Sequence, residues 1–551
     1  MTRVKSVLFT DRPRGPATTL RLNLKIASGT QKRLLNLASS MRFLTPFRLR
    51  PISRNKRLDM ASAYDTWTRE DLIKHIAQLE SQLPKPSAEV RSIEAPQKVS
   101  RKDFDFSSYP KRKIALKFCY SGWEYNGLAY QPQPTPLPTV EEVLFDALVK
   151  AKLLDPGAGF EGCGWEKCGR TDRGVSAAGQ VVSFWVRSVL SDLPSSTVIN
   201  ANSSPEVLVD EEMDSFDISS SSIPVSKLLG RYKPEHNYVA ILNRILPPTI
   251  RILAWSPVSP NFSARFSCQY RHYKYFFSSQ GLNIEPMRAA ASRLVGLHDF
   301  RNICKLDPGK QITVFKRRII SVDIKPVDAN DPDIYVLDLI GSAFLYHQVR
   351  HIMAILFHVG AGLERPSVIT SFLNVEEGAE HAVDETDPPL QVVNGRPEYQ
   401  MADALPLMLW DCGYKPEDVD WQIDGHTDAQ KRQESLENNT GEMYLALQST
   451  LERSKIFSAL NRHFLSASAP YHPRPVQMFP LTHPPPLMNP TKQPMHIPLG
   501  GGTYKRMSRY TPLLDRVRMD PPEVVNERWR NGKGSRREER RRAAAIADED
   551  E

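Results

Sequence analysis

The 551-residue chain lacks any run approaching the roughly 20 apolar residues of a membrane-spanning helix, so no membrane partner is expected. It has no CxxC pair. The six cysteines are Cys119, Cys163, Cys168, Cys268, Cys304 and Cys412, and the one close pair, Cys163 and Cys168, has no matching histidine or cysteine partner. That spacing argues against a zinc site, and scattered thiols in a long chain suit a reducing compartment. A Walker loop and a strand–glycine loop–helix dinucleotide fingerprint are both absent, which removes the usual nucleotide-cofactor signatures. Acids are nearly missing from residues 1–60, where 14 Lys/Arg face only Asp11 and Asp59, a local charge of +12. The whole chain carries +9, leaving about −3 for the remainder (9 minus 12), so overall basicity is a poor argument for nucleic-acid binding.

A hydrophobic content of 40% suits a soluble globular core, while 44 prolines and a mean hydropathy of −0.41 imply long unfolded stretches. Residues 1–65 read as a basic disordered tail or a mitochondrial presequence, or as a start assigned upstream of the true Met41 or Met60. Within 66–109, Thr68 and Asp71 resemble a capping box ahead of Leu72, Ile76, Leu79 and Leu83 on one helix face, and a linker follows. Ordered sequence begins near 110. Strands are expected at 114–120, 181–186 and 250–258, with a helix capped by Thr139 and Glu142 and buried through Val140, Leu144 and Leu148. Residues 188–228, with a serine run and six acids between Glu206 and Asp217, read as a disordered insertion.

A second half spans 257–413. A long aromatic strand is expected at 266–277, further strands at 318–324, 334–340 and 405–410, and a helix through Leu345, Val349, Ile352 and Leu356 to Gly360. Strands mixed with helices in two comparable halves make this an α+β fold with a shared sheet. Residues 414–551 read as an extension that loses this order: a long helix near 441–465, eight prolines in 470–490, and a basic tail holding Arg536, Arg537, Arg540, Arg541 and Arg542.

The segment Cys168-Gly169-Arg170-Thr171-Asp172-Arg173-Gly174-Val175-Ser176 places a carboxylate between two arginines in a glycine-hinged loop just before a strand. Flanking cations keep a carboxylate ionised, and the same arginines suit phosphate contacts. Alone, the pattern reads first as a tight turn with an Arg-Asp pair. Next come Phe262-Ser263-Ala264-Arg265-Phe266 and Arg271-His272-Tyr273-Lys274-Tyr275, aromatics alternating with cations, a pattern suited to stacking on unpaired bases or to a half-buried strand. Ala343 to Arg350 then opens a helix on which Arg350 lies off the apolar stripe, as a surface charge or an inward partner for a carboxylate.

These motifs, CGRTDRGVSA, NRILP, FSARF, RHYKY and AFLYHQVR, resemble in order and spacing the TruA-type tRNA pseudouridine synthases over roughly 110–413. The stretch from Gly296 to Lys305, the helix at 68–83, Leu405 to Cys412 and Arg509 to Leu514 resemble the eukaryotic branch acting on tRNA positions 38 and 39. The resemblance implies two RRM-like (ferredoxin-like) halves around one cleft in a pseudouridine synthase fold with a central mixed or antiparallel sheet. It also implies a homodimer, tRNA as partner, no cofactor and no metal. Residue by residue, it implies that Asp172 is the catalytic aspartate, that Tyr273 stacks on the target base and takes part at C5, and that Arg350 pairs with Asp172. Arg170 and Arg173 fall on the loop that holds the flipped nucleotide, and Leu407 or Leu409 packs against the uracil. Two departures stand out: the 188–228 insertion, and Pro406 where glycine is frequent. Nucleus and cytoplasm are the expected locations, with the mitochondrion a further destination. The rival readings are a synthase with other tRNA, snRNA or mRNA targets, and an inactive RNA-binding protein.

Overall fold

The computed structural model describes residues 104–190, 234–328, 331–426, 434, 441–472 and 495–536, all within the compact unit Lys102–Glu551. The N-terminal tail, the helix expected at 68–83, the insertion from 191, the prolines from 473 to 490 and the arginines beyond Arg536 lie outside these residues.

In chain order the body runs β1 (Lys111–Tyr120), α1 (Val140–Lys150), β2 (Glu166–Lys167), β3 (Ser176–Arg187), α2 (Tyr238–Asn243) and β4 (Ile250–Pro257). It continues with β5 (Tyr270–Ser278), α3 (Ile284–Ser292), β6 (Gly296–Asp299), β7 (Lys316–Asp328), β8 (Asp331–Gly341), α4 (Gln348–Gly360), α5 (Val368–Leu373) and β9 (Leu407–Gly413). Thr139 and Glu142 form the expected reciprocal cap on α1. Gly157, Gly159 and Gly162 happen to have dinucleotide spacing, but they follow α1 instead of joining a strand to a helix.

One nine-stranded mixed sheet has the order β4-β1-β3-β9-β5-β8-β7-β6, with β2 on the far end of β3. Every pairing is antiparallel except a short parallel seam, Ser176 with Met408 and Ala177 with Leu409, where β9 joins the halves. Two cores follow from this. One gathers Ile114, Leu116, Leu144, Phe184 and Trp255 on the first half, and the other gathers Tyr275, Leu337, Ile352 and Phe357 on the second. Helix α4 is apolar on nearly every side and is buried accordingly, Arg350 excepted.

Two differences from the sequence reading have physical causes, one local and one long-range. The aromatic strand begins at Tyr270 and not at 266, because Ser263 accepts from Phe266 N at 3.2 Å and closes residues 263–267 into a turn. The chain beyond Cys412 is also not wholly outside the body. A hairpin, β10 (Met495–Gly500) and β11 (Thr503–Met507), buries Ile497, and Leu513 enters the second core. Asp403 N donates to Leu499 O at 2.7 Å, so these late residues brace the approach to β9. The long helix α6 (Glu442–Ser468) does form, but none of its residues is buried. Its short-range periodicity specifies a helix without specifying what it packs on.

Candidate active site

The loop from Cys168 to Val175 lies at the start of the parallel seam, just before β3. It is pinned from below: Tyr120 and Thr171 hydroxyls meet at 2.7 Å, Gln180 donates to Gly169 O at 2.9 Å, and Arg271 donates to Cys168 O at 3.0 Å. Gly174 takes φ +87°, and Gly122 approaches so closely that a Cβ there would sit 2.0 Å from Val175 O. A loop so braced holds its side chains in one place.

Asp172 is the side chain it presents. Oδ2 lies 3.0 Å from His347 Nε2 and 3.6 Å from Arg350 Nη1. Arg350 is fixed in turn by donating from Nε to Ala402 O at 2.8 Å. It is therefore the inward partner and not a surface charge, and the first turn of α4 adds its positive helix end to the same spot. The cations that flank Asp172 in sequence behave differently. Arg170 and Arg173 are exposed, and among the described residues neither pairs with Asp172. Neighbouring side chains of an extended loop diverge, so the charge partner comes from a remote helix. Both loop arginines remain facing solvent beside the carboxylate, where a polyanion would meet them.

His347 escaped the sequence reading. It sits in the left-handed region at φ +60°, costly for a side chain of this size, and its Nδ1 is buried without a partner. Such strain, held by the Leu345 N to Gln348 Oε1 bond at the start of α4, aims the imidazole at Asp172. The available signal was its place three residues before Arg350, one helical turn away. Replacing His347 by Asn, which tolerates this backbone, should leave melting and tRNA affinity nearly unchanged. Turnover should fall by roughly 10- to 100-fold, as for other residues that orient a reacting group. Equal turnover would show that the contact is idle.

The RHYKY strand divides its labour by alternation across the sheet. His272 and Lys274 face Asp338, which His272 bonds closely, and Lys274 sits 4.1 Å over the Trp410 ring. These cations are thus engaged within the protein in this arrangement. Tyr273 points to the other face, edge-on to Phe344 at 4.9 Å. Burial pushes its phenol far up, and nearby thiols and Asp172 add to the effect, so it stays neutral near pH 7. A neutral phenol suits packing against a base better than accepting a proton in the resting state. Leu407 and Leu409 are both buried. Leu407 shares a core with Val175, Leu345 and Val349 beside the site, whereas Leu409 belongs to the first half's core.

Exposed rings surround the loop. Trp123 adjoins Gly122 and is 56% exposed, and Phe266 beside Arg265 is 78% exposed. Tyr346 lies 3.8 Å from the His347 ring, with Lys305 and Lys310 over it at 5.5 and 5.0 Å. Of the segment Gly296–Lys305, His298 pairs with Glu380, Asp299 with Arg301, and the Asn302 amide with buried carbonyls, so only Lys305 reaches the site.

Next to Arg350 in α4, burial pushes the His351 imidazole down to about 2, with Arg396 adding to it. Burial likewise pushes His358 down to about 4. Both groups titrate near 6.5 once unfolded. Between those values the unfolded chain binds more protons, so stability falls as pH drops from 7 toward 4. Melting curves at pH 7 and 5 should separate, and His358→Gln should narrow the gap; an unchanged gap would assign the acid sensitivity elsewhere.

A carboxylate held by a guanidinium and an imidazole at the seam of a mixed sheet, beside exposed aromatic rings, is an arrangement suited to carboxylate chemistry on a ring-bearing polyanion. Comparison with known proteins narrows the class. A family model described as tRNA pseudouridine synthase matches residues 290–415. The chain is 38% identical over 490 residues to the tRNA pseudouridine(38/39) synthase of Saccharomyces cerevisiae, covering 86% of this chain and 93% of that protein. It is 36% identical over 372 residues to the human tRNA pseudouridine(38/39) synthase, 64% of this chain and 68% of the relative. An archaeal tRNA pseudouridine synthase A, from Methanothrix thermoacetophila, is 31% identical over 315 residues, 57% of this chain and 87% of the relative. The chain belongs to the TruA-type tRNA pseudouridine synthase family.

Proposed function

We propose that this protein isomerises uridine to pseudouridine at positions 38 and 39 of tRNA, with Asp172 as the reacting carboxylate. The observation that carries this reading is the Asp172–Arg350–His347 cluster, seated in a chain that matches the yeast position-38/39 enzyme over 93% of its length. The target base leaves its stack, the N1–C1′ bond breaks, and the base turns and rejoins through C5. C5 loses a proton and N1 gains one, so composition is unchanged and no electrons are exchanged. Asp172 acts by adding at C6 of the base or at C1′ of the ribose, or as the base of a glycal route. Tyr273 packs on the flipped ring, Leu407 walls its far side, and Arg170 and Arg173 meet the phosphates around it. A stem–loop junction suits this chemistry, because a terminal pair costs less to open than an internal one. Purified protein with unmodified tRNAs carrying U38, U39 or U40 singly tests the reading. Exclusive modification at positions 27 or 55, or of snRNA or mRNA sites, would overturn the target and leave Asp172 as the catalyst.

The halves are read as RRM-like. With β6 and α5 set aside as additions to the second half, each runs β-α-β-β-α-β, the first as β4-β1-β3-β2 and the second as β9-β5-β8-β7, the strand order 4-1-3-2 in both, and this supports the assignment. The functional unit is a homodimer, supported by the exposed apolar side chains of α6, among them Leu451, Phe457, Leu460 and Phe464. Sedimentation of the full chain tests this, and a monomer at working concentration would refute it. The locations are nucleus and cytoplasm, with residues 1–59 fused to a reporter as the test of mitochondrial import.

Phosphate contact away from the base falls to β7. Lys316 and Arg318 are exposed on one face, whereas Arg317 turns to the other and donates to Val314 O and Lys316 O at 3.1 and 2.7 Å. Lys316→Ala with Arg318→Ala should weaken every substrate tRNA alike. The log–log salt slope should flatten by about 1 to 2, as expected when two phosphate contacts are lost. An unchanged slope would place the RNA elsewhere.

A further inference from the structure

Apart from the Asp172 cluster, the fold gathers three thiols that are remote in sequence. Cys168 opens the catalytic loop, Cys268 precedes β5, and Cys412 lies in β9. All three are free and buried, and their Sγ atoms lie within 4.8 Å of one another. No histidine or carboxylate belongs to the group. Sequence spacing argued against a zinc site because it weighs only near neighbours; strand pairing of Arg271 with Cys412, and the bond from Arg271 to Cys168 O, bring distant thiols together instead.

We propose that Cys168, Cys268 and Cys412 bind one thiophilic metal ion, Zn2+ in the working protein. An all-sulfur donor set selects soft and borderline ions over magnesium, calcium or manganese. Metal–sulfur bonds of about 2.3 Å hold three sulfurs about 4 Å apart, so the present cluster needs to contract by less than about 1 Å. Charge favours zinc. Three thiolates and Zn2+ sum to −1, and the Arg271 guanidinium beside them, bonded to Cys168 O, Arg265 O and Ser342 O at 3.0, 2.9 and 3.0 Å, brings the buried sum to zero. Cu+ would leave −1, and an uncompensated buried charge is costly. The Tyr414 hydroxyl is already given to Ala264 O at 2.6 Å, so a water entering beside Cys268, the most exposed of the three, completes the coordination.

Binding sends three thiol protons to solvent as three sulfur–metal bonds form, with no oxidation or reduction. The ion then joins the segment that presents Asp172, the strand that carries Tyr273 and the strand that carries Leu407. Zinc here is a fastener for the site, distinct from the chemistry at the base.

The test uses reduced full-length protein, loaded with Zn2+, dialysed and assayed for metal by mass spectrometry, with Co2+ as a spectroscopic probe. Wild type and Cys304→Ser should each retain one zinc per chain and show thiolate-to-cobalt absorption. Cys268→Ser and Cys412→Ser should bind at least about tenfold more weakly, with circular dichroism reporting whether they fold. Should a variant misfold, alkylation of the native wild type decides: Zn2+ should protect three of the six cysteines, mapped to 168, 268 and 412. Zinc content near zero, equal retention in the variants, no protection, or a disulfide in place of bound metal would each overturn the proposal, whatever the tRNA activity.

Discussion

Asp172→Asn should bind tRNA within a few-fold of wild type yet form pseudouridine at least about 10⁴-fold more slowly, the scale of other nucleophile deletions. Asparagine keeps the shape, and its amide oxygen can take the place of Oδ2, the atom that meets both His347 and Arg350, but it is a poor nucleophile and a poor base. Binding survives because the surrounding rings and cations, Trp123, Phe266, Tyr346, Arg170 and Arg173, do not depend on that charge. Loop geometry also survives, since Thr171, Gly174 and the Gly122 approach hold the backbone without the carboxylate. Single-turnover assays at saturating enzyme separate chemistry from binding. Turnover within tenfold of wild type would remove Asp172 from the reaction.

Arg350→Ala should lower kcat by about 10²–10³-fold while changing tRNA affinity little, as losses of one buried charge-stabilising donor do. The guanidinium is mostly buried, 12% exposed, and lies against both Asp172 Oδ2 and Ala402 O. Its loss leaves a half-buried carboxylate without its cation and free to swing. Arg350→Lys should recover only part of the activity, because an ammonium cannot hold the carbonyl and the carboxylate in one plane. Matching losses in kcat and in affinity would instead place Arg350 in RNA binding.

What the amino-acid order determined by itself was local or motif-borne. The capping box at Thr139 and Glu142, the α4 helix, the longer strands of both halves and the GRTD loop were legible, because each depends on residues within a few positions; the short β2 and β6 were not. Family membership was legible for the same reason, through short motifs in a set order. One error was local, a strand begun at 266 because the Ser263 turn was overlooked; the other was long-range, a C-terminal region read as outside the body because core partners of Leu513 such as Tyr399 and Ala402 are remote in sequence.

Tertiary structure decided which neighbours in sequence remain neighbours in space. Alternation across β5 sent His272 and Lys274 to Asp338 and left only Tyr273 toward Asp172. Arg170 and Arg173 diverge from the carboxylate they bracket, and α4 supplies Arg350 and the strained His347 in their place. The parallel seam of β3 and β9 carries Cys412 to Cys168, 244 positions away by subtraction (412 minus 168). Side-chain direction and strand pairing are long-range properties of the packed sheet, and no local pattern encodes them.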